Sequence, residues 1–348
     1  MINLKLRGFA TPLKSSTMKN INILQIGIGP LGIKAAQFIE QRNGLKTIAA
    51  VDKSPSLVGR DLGEVCGSVK SGVLIKSSIA EAIKKKKPDV AVLTTVSDMQ
   101  RIVPQIEEIL AHGIPVVSTC EELSFPWKTT PRLAKRLDEA ANAAGVAVLG
   151  TGVNPGYLMD ALPTFLTAVC QDVKSVTVKR FQNAQFRRIP FQKKIGAGLS
   201  LADFQGKIAD GSLRHVGLTE SIHLIASRMG WKLDRTEDLI SPVVAKQKIE
   251  TEAMTIPKGH ATGVRQEGNG YMNGEAKIRL IFQATVGEKE SYDEVIIEGT
   301  PNLRSKVECG VNGDVATCAI TLNAIPQLLR SKPGLQTMVD IAPVSFFS

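Results

Sequence analysis

The 348-residue chain has no apolar run approaching the roughly 20 residues needed to cross a bilayer. The stretch 90–96 is short and ends in polar residues, which suits a buried strand. Internal repeats and low-complexity tracts are also missing, so one large domain or two of ordinary size are expected. The five cysteines (Cys66, Cys120, Cys170, Cys309, Cys318) are odd in number and form no CxxC pair, and no secretory signal precedes them. Free thiols in a reducing compartment are expected, hence a cytoplasmic protein. The four histidines (His112, His215, His223, His260) lack close ligand spacing, so no metal site is expected. Hydrophobic residues at 43% and charged residues at 22% are ordinary globular values.

The net charge of +10 is concentrated in three blocks of four cations, leaving the rest of the chain at about −2. These are Lys5, Arg7, Lys14 and Lys19; Lys84–Lys87; and Arg187, Arg188, Lys193 and Lys194. No aromatic interleaving or nucleic-acid module accompanies them, so no nucleic-acid partner is expected. The second block precedes Pro88 at an expected helix end, where it complements the helix dipole and faces water. The third is placed to attract an anionic cofactor phosphate or substrate. Residues 1–20 are basic and acid-free, and read as an extension outside the fold, expected to be disordered. An organellar transit segment and a start at Met18 are the alternatives.

From residue 21 onward, strand and helix signals alternate. The apolar segment 21–26 runs into Gly27-Ile28-Gly29-Pro30-Leu31-Gly32, and a helical pattern covers 33–41 before Gly44. A second strand, 47–51, ends at Asp52, 20 residues after Gly32. A bare GxGxxG is weak, but here it lies between strand and helix with an acid at the expected distance. Gly27 permits the tight turn, Gly29 lets a pyrophosphate approach, and Gly32 lets helix and strand pack closely. The helix N-terminus offers free N–H groups to phosphate. Asp52 suits the ribose hydroxyls of NAD, whereas Lys53 and Arg60 leave a 2′-phosphate, and so NADP, open. Further strands at 90–94, 115–118 and 146–149, with helices at 99–112 and 130–144, predict a parallel sheet with right-handed crossovers. Ligands then bind at the carboxyl ends of the strands, in loops 27–32, 94–98, 119–126 and 150–160.

Two of these loops carry candidate chemistry. Glu121 and Glu122 follow a core strand, where they suit an ammonium group or a base; capping the next turn is the bland alternative. Cys120 reads as a small core residue rather than a nucleophile. In Gly150–Gly156, Asn154 is placed to bond a nicotinamide amide or the substrate. The second half reads differently, with strands at 173–181, 277–286 and 292–299, and helices at 197–209, 219–229 and 315–329. Gly287 and Glu288 suggest a hairpin between the last two strands. The fold class is therefore α/β: a Rossmann-type parallel-sheet domain plus an α+β domain with a mostly antiparallel sheet.

Several longer segments, in order, resemble one family: IGIGPLG (26–32), GRDLGE (59–64), STCEELSFP (118–126), GTGVNPGYLMD (150–160), RIPFQKKIGAG (188–198), HVGLTESI (215–222), GDVATCAITLNAIP (313–326) and PGLQTMVDIAP (333–343). The chain resembles the 2,4-diaminopentanoate dehydrogenase and native amine dehydrogenase family, which shares its N-terminal domain with dihydrodipicolinate reductases. The resemblance implies reversible NAD(P)-linked oxidative deamination of a small amine to a ketone or aldehyde plus ammonia. It also implies a homodimer joined through the second domain's sheet, and a C-terminal segment returning to the first domain. The family's amine-holding glutamate maps to Glu121 or Glu122, and the sequence leaves that choice open. Dihydrodipicolinate reduction itself is disfavoured, because no His-His pair is present.

The expected organisation is an extension (1–20), a dinucleotide domain (21–155), a substrate and dimerisation domain (156–315) and a returning segment (316–348). The expected cofactor set is Gly27, Gly29, Pro30, Leu31, Gly32, Asp52, Lys53, Thr94, Thr95 and Asn154. Two alternatives stand beside the amine dehydrogenase reading: 2,4-diaminopentanoate as the substrate, or a dinucleotide-binding sensor without turnover.

Overall fold

The computed structural model describes residues 20–187 and 189–347; Arg188, Ser348 and, apart from Asn20, the expected extension 1–20 lie outside the described residues. In chain order the strands are β1 (Ile21–Ile26), β2 (Leu45–Val51), β3 (Ile75–Lys76), β4 (Val90–Leu93), β5 (Val116–Ser118), β6 (Ala147–Gly150), β7 (Asp172–Asn183), β8 (Arg235–Val244), β9 (Ile249–Glu250), β10 (Thr255–Ile256), β11 (Ala261–Met272), β12 (Glu275–Thr285), β13 (Tyr292–Thr300), β14 (Leu303–Glu308) and β15 (Gly334–Gln336).

The first sheet has the order β15-β6-β5-β4-β1-β2-β3, parallel throughout. This is the expected Rossmann arrangement, with its switch point between β1 and β4. β4 and β6 are buried along their whole length, as strands covered by helices on both faces must be. Helix Met99–Leu110 turns Met99, Ile102, Val103, Ile106 and Ile109 into the core, each with no exposed surface. Each such side chain contributes about 1.5–3 kcal/mol of apolar transfer. The chain returns at its end. Helix Gly313–Leu328, capped by Asn312, packs against helix Pro30–Glu40, and β15 adds a parallel strand beside β6.

The second sheet has the order β14-β13-β7-β12-β11-β8 and is antiparallel except where β7 runs parallel to β12. Here the hairpin expected at Gly287 and Glu288 is corrected. β7 lies between β12 and β13, pairing Val178 with Leu280 on one side and Val295 on the other. Residues 286–291 must step across two strand spacings of about 4.8 Å, which six residues easily span. The tight hairpin is instead β11–β12, turning at Asn273 and Gly274 with φ of 54° and 78°. Both values are positive, as a type I′ turn demands. β8, β11 and β14 were not anticipated, nor was the short helix Ile189–Lys194. The helix expected from 197 starts at Leu201, because Ser200 caps it by accepting from the Asp203 N–H. β7 buries Val176, Val178, Arg180 and Gln182 on one face, towards helix Leu218–Met229 and the first domain.

Candidate active site

Two cavities open at the carboxyl ends of the first sheet. The first, about 660 Å³, is lined by Gly27, Gly29, Asp52, Lys53, Thr94 and Thr95. Its floor is the glycine loop, and each glycine there does something different. Gly27 has φ +85°, and a Cβ there would lie 2.8 Å from the Thr94 carbonyl oxygen. A Cβ at Gly32 would lie 2.0 Å from the Gly27 carbonyl oxygen, so no side chain fits. At Gly29 a Cβ would meet nothing within 4 Å, because the position faces the open cleft. Gly29 also caps helix Pro30–Glu40 without any side-chain hydrogen bond, which leaves first-turn N–H groups available. These features fit a pyrophosphate.

The rest of the loop is braced from below. The Thr94 hydroxyl donates to the Gly27 carbonyl at 2.9 Å, and Thr95 bonds Gln105 at 2.8 Å. Asp52 lines the cleft as expected, but it also holds the loop. Its Oδ2 accepts from the Ile28 N–H at 2.7 Å and its Oδ1 from the Ser54 N–H at 2.8 Å. Remaining lone pairs on the carboxylate are free to accept from a further donor in the cleft. Lys53 is exposed at the rim.

The second cavity, about 430 Å³, lies between the domains. The first domain lines it with Pro30, Leu31, Glu121 and Asn154. The second adds Arg180, Lys194, Arg214, His215 and Phe282. The 3₁₀ turn Glu121–Ser124 sends its two acids to different places. Glu121 lines the cavity. Glu122 turns away, its Oε2 accepting from the Met99 N–H at 2.8 Å and so capping helix Met99–Leu110. Glu220 is buried in the first turn of helix Leu218–Met229, with one oxygen unpartnered. Burial, and then the nearby charge of Glu122, push its carboxyl up. Cys120 is buried and its thiol is pushed strongly up by desolvation, which makes it a core residue.

The loop after β6 is anchored by Asp160, which is fully buried. It accepts from the Gly156 N–H (2.7 Å), the Ala161 N–H (2.6 Å) and the Ser221 hydroxyl (2.9 Å), tying the loop to helix Leu218–Met229. Burial nevertheless raises its carboxyl above the usual carboxylate range. Asn154 projects from this loop beside the His215 ring, and its Oδ1 is buried without a partner. An orphaned acceptor of this kind costs about 1–3 kcal/mol until a donor reaches it. His215 is itself pushed down to about 4, first by burial, with Arg180 and Lys194 adding positive charge nearby. Arg180 crosses the cavity wall to Asp293 at 2.7 Å. Among the described residues, no group of three or more His, Cys, Asp or Glu could hold a metal ion.

The structure thus gathers Gly27, Gly29, Asp52, Lys53, Thr94 and Thr95 in one cleft, and Pro30, Leu31, Glu121 and Asn154 in the next. Gly32 and Glu122 line neither. Of the third basic block, Arg187 and Lys194 line the second cavity, while Lys193 is exposed outside it. Sequence reasoning assigned no role to Arg180, Arg214 or His215. A signal existed for Arg180, a charged residue in phase with the inward-facing Val176 and Val178.

Glycine loop and switch-point cleft are those of a dinucleotide-binding Rossmann domain, with a second cavity between it and the mixed sheet. The N-terminal domain of dihydrodipicolinate reductase matches residues 21–122, and the C-terminal domain of 2,4-diaminopentanoate dehydrogenase matches residues 157–346. The chain belongs to the 2,4-diaminopentanoate dehydrogenase family. It is 29% identical to the 2,4-diaminopentanoate dehydrogenase of Acetoanaerobium sticklandii over 332 residues, which cover 93% of this chain and 94% of that one. Identity to an amine dehydrogenase of Streptomyces virginiae is 22% over 342 residues, covering 90% and 94%. The structure of an amine dehydrogenase from Mycobacterium smegmatis shares the fold with a TM-score of 0.82 at 22% identity, covering 95% of this chain and 98% of that one. No described helix is long and apolar enough to cross a membrane.

Proposed function

We propose that the protein deaminates a small amine to a ketone or aldehyde plus ammonia, reversibly, with Glu121 as the residue that holds and deprotonates the amine. The carrying observation is the division of labour in the acidic turn: Glu122 is committed to a helix cap, whereas Glu121 faces the interdomain cavity. A carboxylate in a partly apolar cavity keeps an ammonium bound and accepts its proton as the C–N bond gains double-bond character. NAD(P), when bound, supplies the hydride chemistry. Gly27, Gly29, Pro30, Leu31, Asp52, Lys53, Thr94 and Thr95 would hold it, with Gly32 keeping the helix in place. Asn154 offers an acceptor to the nicotinamide amide or to the substrate.

A specific observation favours a substrate that also carries a carboxylate, as 2,4-diaminopentanoate does. Lys194 and Arg214 line the same cavity as Glu121, so it offers an anion site beside the ammonium site. A homodimer is proposed through the second sheet's other face. That face carries the stacked pair Phe181–Tyr292, with ring centroids 5.0 Å apart, and the 56%-exposed Leu239. The test is NAD(P)⁺ reduction with a panel of amines, assaying the carbonyl product and ammonia together. Equimolar release supports the reading, and faster turnover of carboxylated amines supports the anion site. Cofactor binding with no turnover on any amine would leave a sensor instead.

A further inference from the structure

Asn154 sits where two separate segments meet. Its own loop follows β6 of the first domain, and the facing segment, His215 to Gly217, belongs to the second. The two are pressed together: a Cβ at Gly217 would lie 2.3 Å from the Pro155 ring. His215 is held from both sides of its peptide. The Gln266 amide oxygen accepts from the His215 N–H at 2.7 Å, and the Gln266 amide NH₂ donates to the His215 carbonyl at 3.0 Å. Gln266 is fixed in turn by Asp238, at 2.8 and 3.0 Å. Phe282 packs on the imidazole, with ring centroids 4.6 Å apart.

The imidazole's proton can then be placed by hydrogen-bond logic. Nδ1 lies 2.9 Å from the Val216 carbonyl oxygen, which can only accept, so Nδ1 carries the hydrogen. In a neutral ring Nε2 is then a bare acceptor. Nε2 faces the Asn154 side-chain amide at 3.4 Å. Only the NH₂ end of that amide can be favourable there, so the carbonyl end must point the other way. That Oδ1 is the atom left without a protein donor in a residue that lines the cavity.

We infer that His215 is a positioning residue that sets the rotation of the Asn154 amide, so that the site presents a hydrogen-bond acceptor to an incoming N–H donor. The donor is either the carboxamide NH₂ of the nicotinamide or the amine nitrogen of the substrate. The inference rests on the amine dehydrogenase reading for the second source and is independent of it for the first.

The test uses the full chain and four variants: His215→Leu, His215→Gln, Asn154→Ala, and His215→Leu with Asn154→Ala. Leucine keeps bulk but removes the acceptor; glutamine returns one near the position of Nε2. NADH dissociation constants are measured by fluorescence titration, and steady-state constants for ammonia and ketone are measured separately. His215→Leu should lose about tenfold in one of these, matching Asn154→Ala, and His215→Gln should recover most of the loss. The double variant should be no worse than Asn154→Ala alone. A loss in NADH affinity identifies the carboxamide as donor, and a raised KM for ammonia at unchanged NADH affinity identifies the amine nitrogen. Additive losses in the double variant, or His215→Gln failing like His215→Leu while both remain folded, would overturn the inference. Should the wild type bind NADH yet turn over no amine, the functional reading fails, while the NADH titrations still decide the role of His215.

Discussion

The two walls of the interdomain cavity are made from different materials. The wall from the parallel-sheet domain is the first turn of helix Pro30–Glu40, the turn after β6 and the acid Glu121, and it continues into the glycine loop of the neighbouring cleft. The wall from the second domain is made of side chains, namely Arg180, Lys194, Arg214, His215 and Phe282. Backbone amides recognise what every dinucleotide shares, whatever the substrate. Side chains carried on a sheet and its connecting loops can be exchanged without disturbing that loop, so we place substrate choice in the second wall. The first wall should therefore be intolerant of added volume, and the second sensitive to lost hydrogen bonds.

The largest effect should come from Gly32→Ala. With its Cβ 2.0 Å from the Gly27 carbonyl oxygen, helix and strand must separate, at a cost of about 3 kcal/mol or more. Thermal unfolding and NADH titration should both show the loss. Gly29→Ala sharpens the contrast, since its Cβ meets nothing. Its unfolding free energy should stay within about 0.5 kcal/mol of the wild type while NADH affinity falls. Equal melting temperatures for the two variants would break the account of this wall. Asp52→Ala comes next. Because Asp52 holds the Ile28 and Ser54 N–H groups, both NADH and NADPH should bind several-fold more weakly, NADH more so through its ribose. An unchanged NADPH affinity would show that the loop does not depend on this carboxylate.

Glu122→Gln should lower stability by about 1 kcal/mol, through a weakened cap on helix Met99–Leu110, as read by urea denaturation. The last contrast is the pH dependence of His215. Its folded value of about 4 lies below the ordinary 6.5, so the unfolded chain binds the extra proton between them. Its contribution is then complete above about pH 6.5 and is lost as pH falls towards 4, by roughly 3 kcal/mol. His223, also pushed down by burial, acts in the same direction. Stability measured between pH 7 and 4 should fall less steeply in His215→Gln, and an unchanged slope would count against a buried neutral imidazole.

The same contrast explains what was legible in the sequence. Residues 21–52 carry strand, glycine loop, helix and acid within one local unit, and local spacing suffices to read such a unit. The second sheet depends on pairings that spacing does not record. β7 meets β12 and β13 about a hundred residues later, so a local hairpin signal at Gly287 pointed to the wrong partner. The Asn273-Gly274 turn was readable from residue type alone. The difference between Glu121 and Glu122 was not, because it depends on where the Met99 N–H lies, more than twenty residues upstream. His215 gave no local sign, since its meaning comes from Asn154 and Gln266 in other segments.

The most direct measurement is NAD(P)H oxidation with a ketone at rising ammonium concentration, run in parallel on the wild type, Glu121→Gln and Glu122→Gln. Ammonia-dependent turnover in the wild type, a loss of roughly a hundredfold or more in Glu121→Gln and near-wild-type turnover in Glu122→Gln are the predicted results. Oxidation that ignores ammonium, or a loss that falls on Glu122→Gln instead, would contradict the assignment of Glu121 as the amine-holding base.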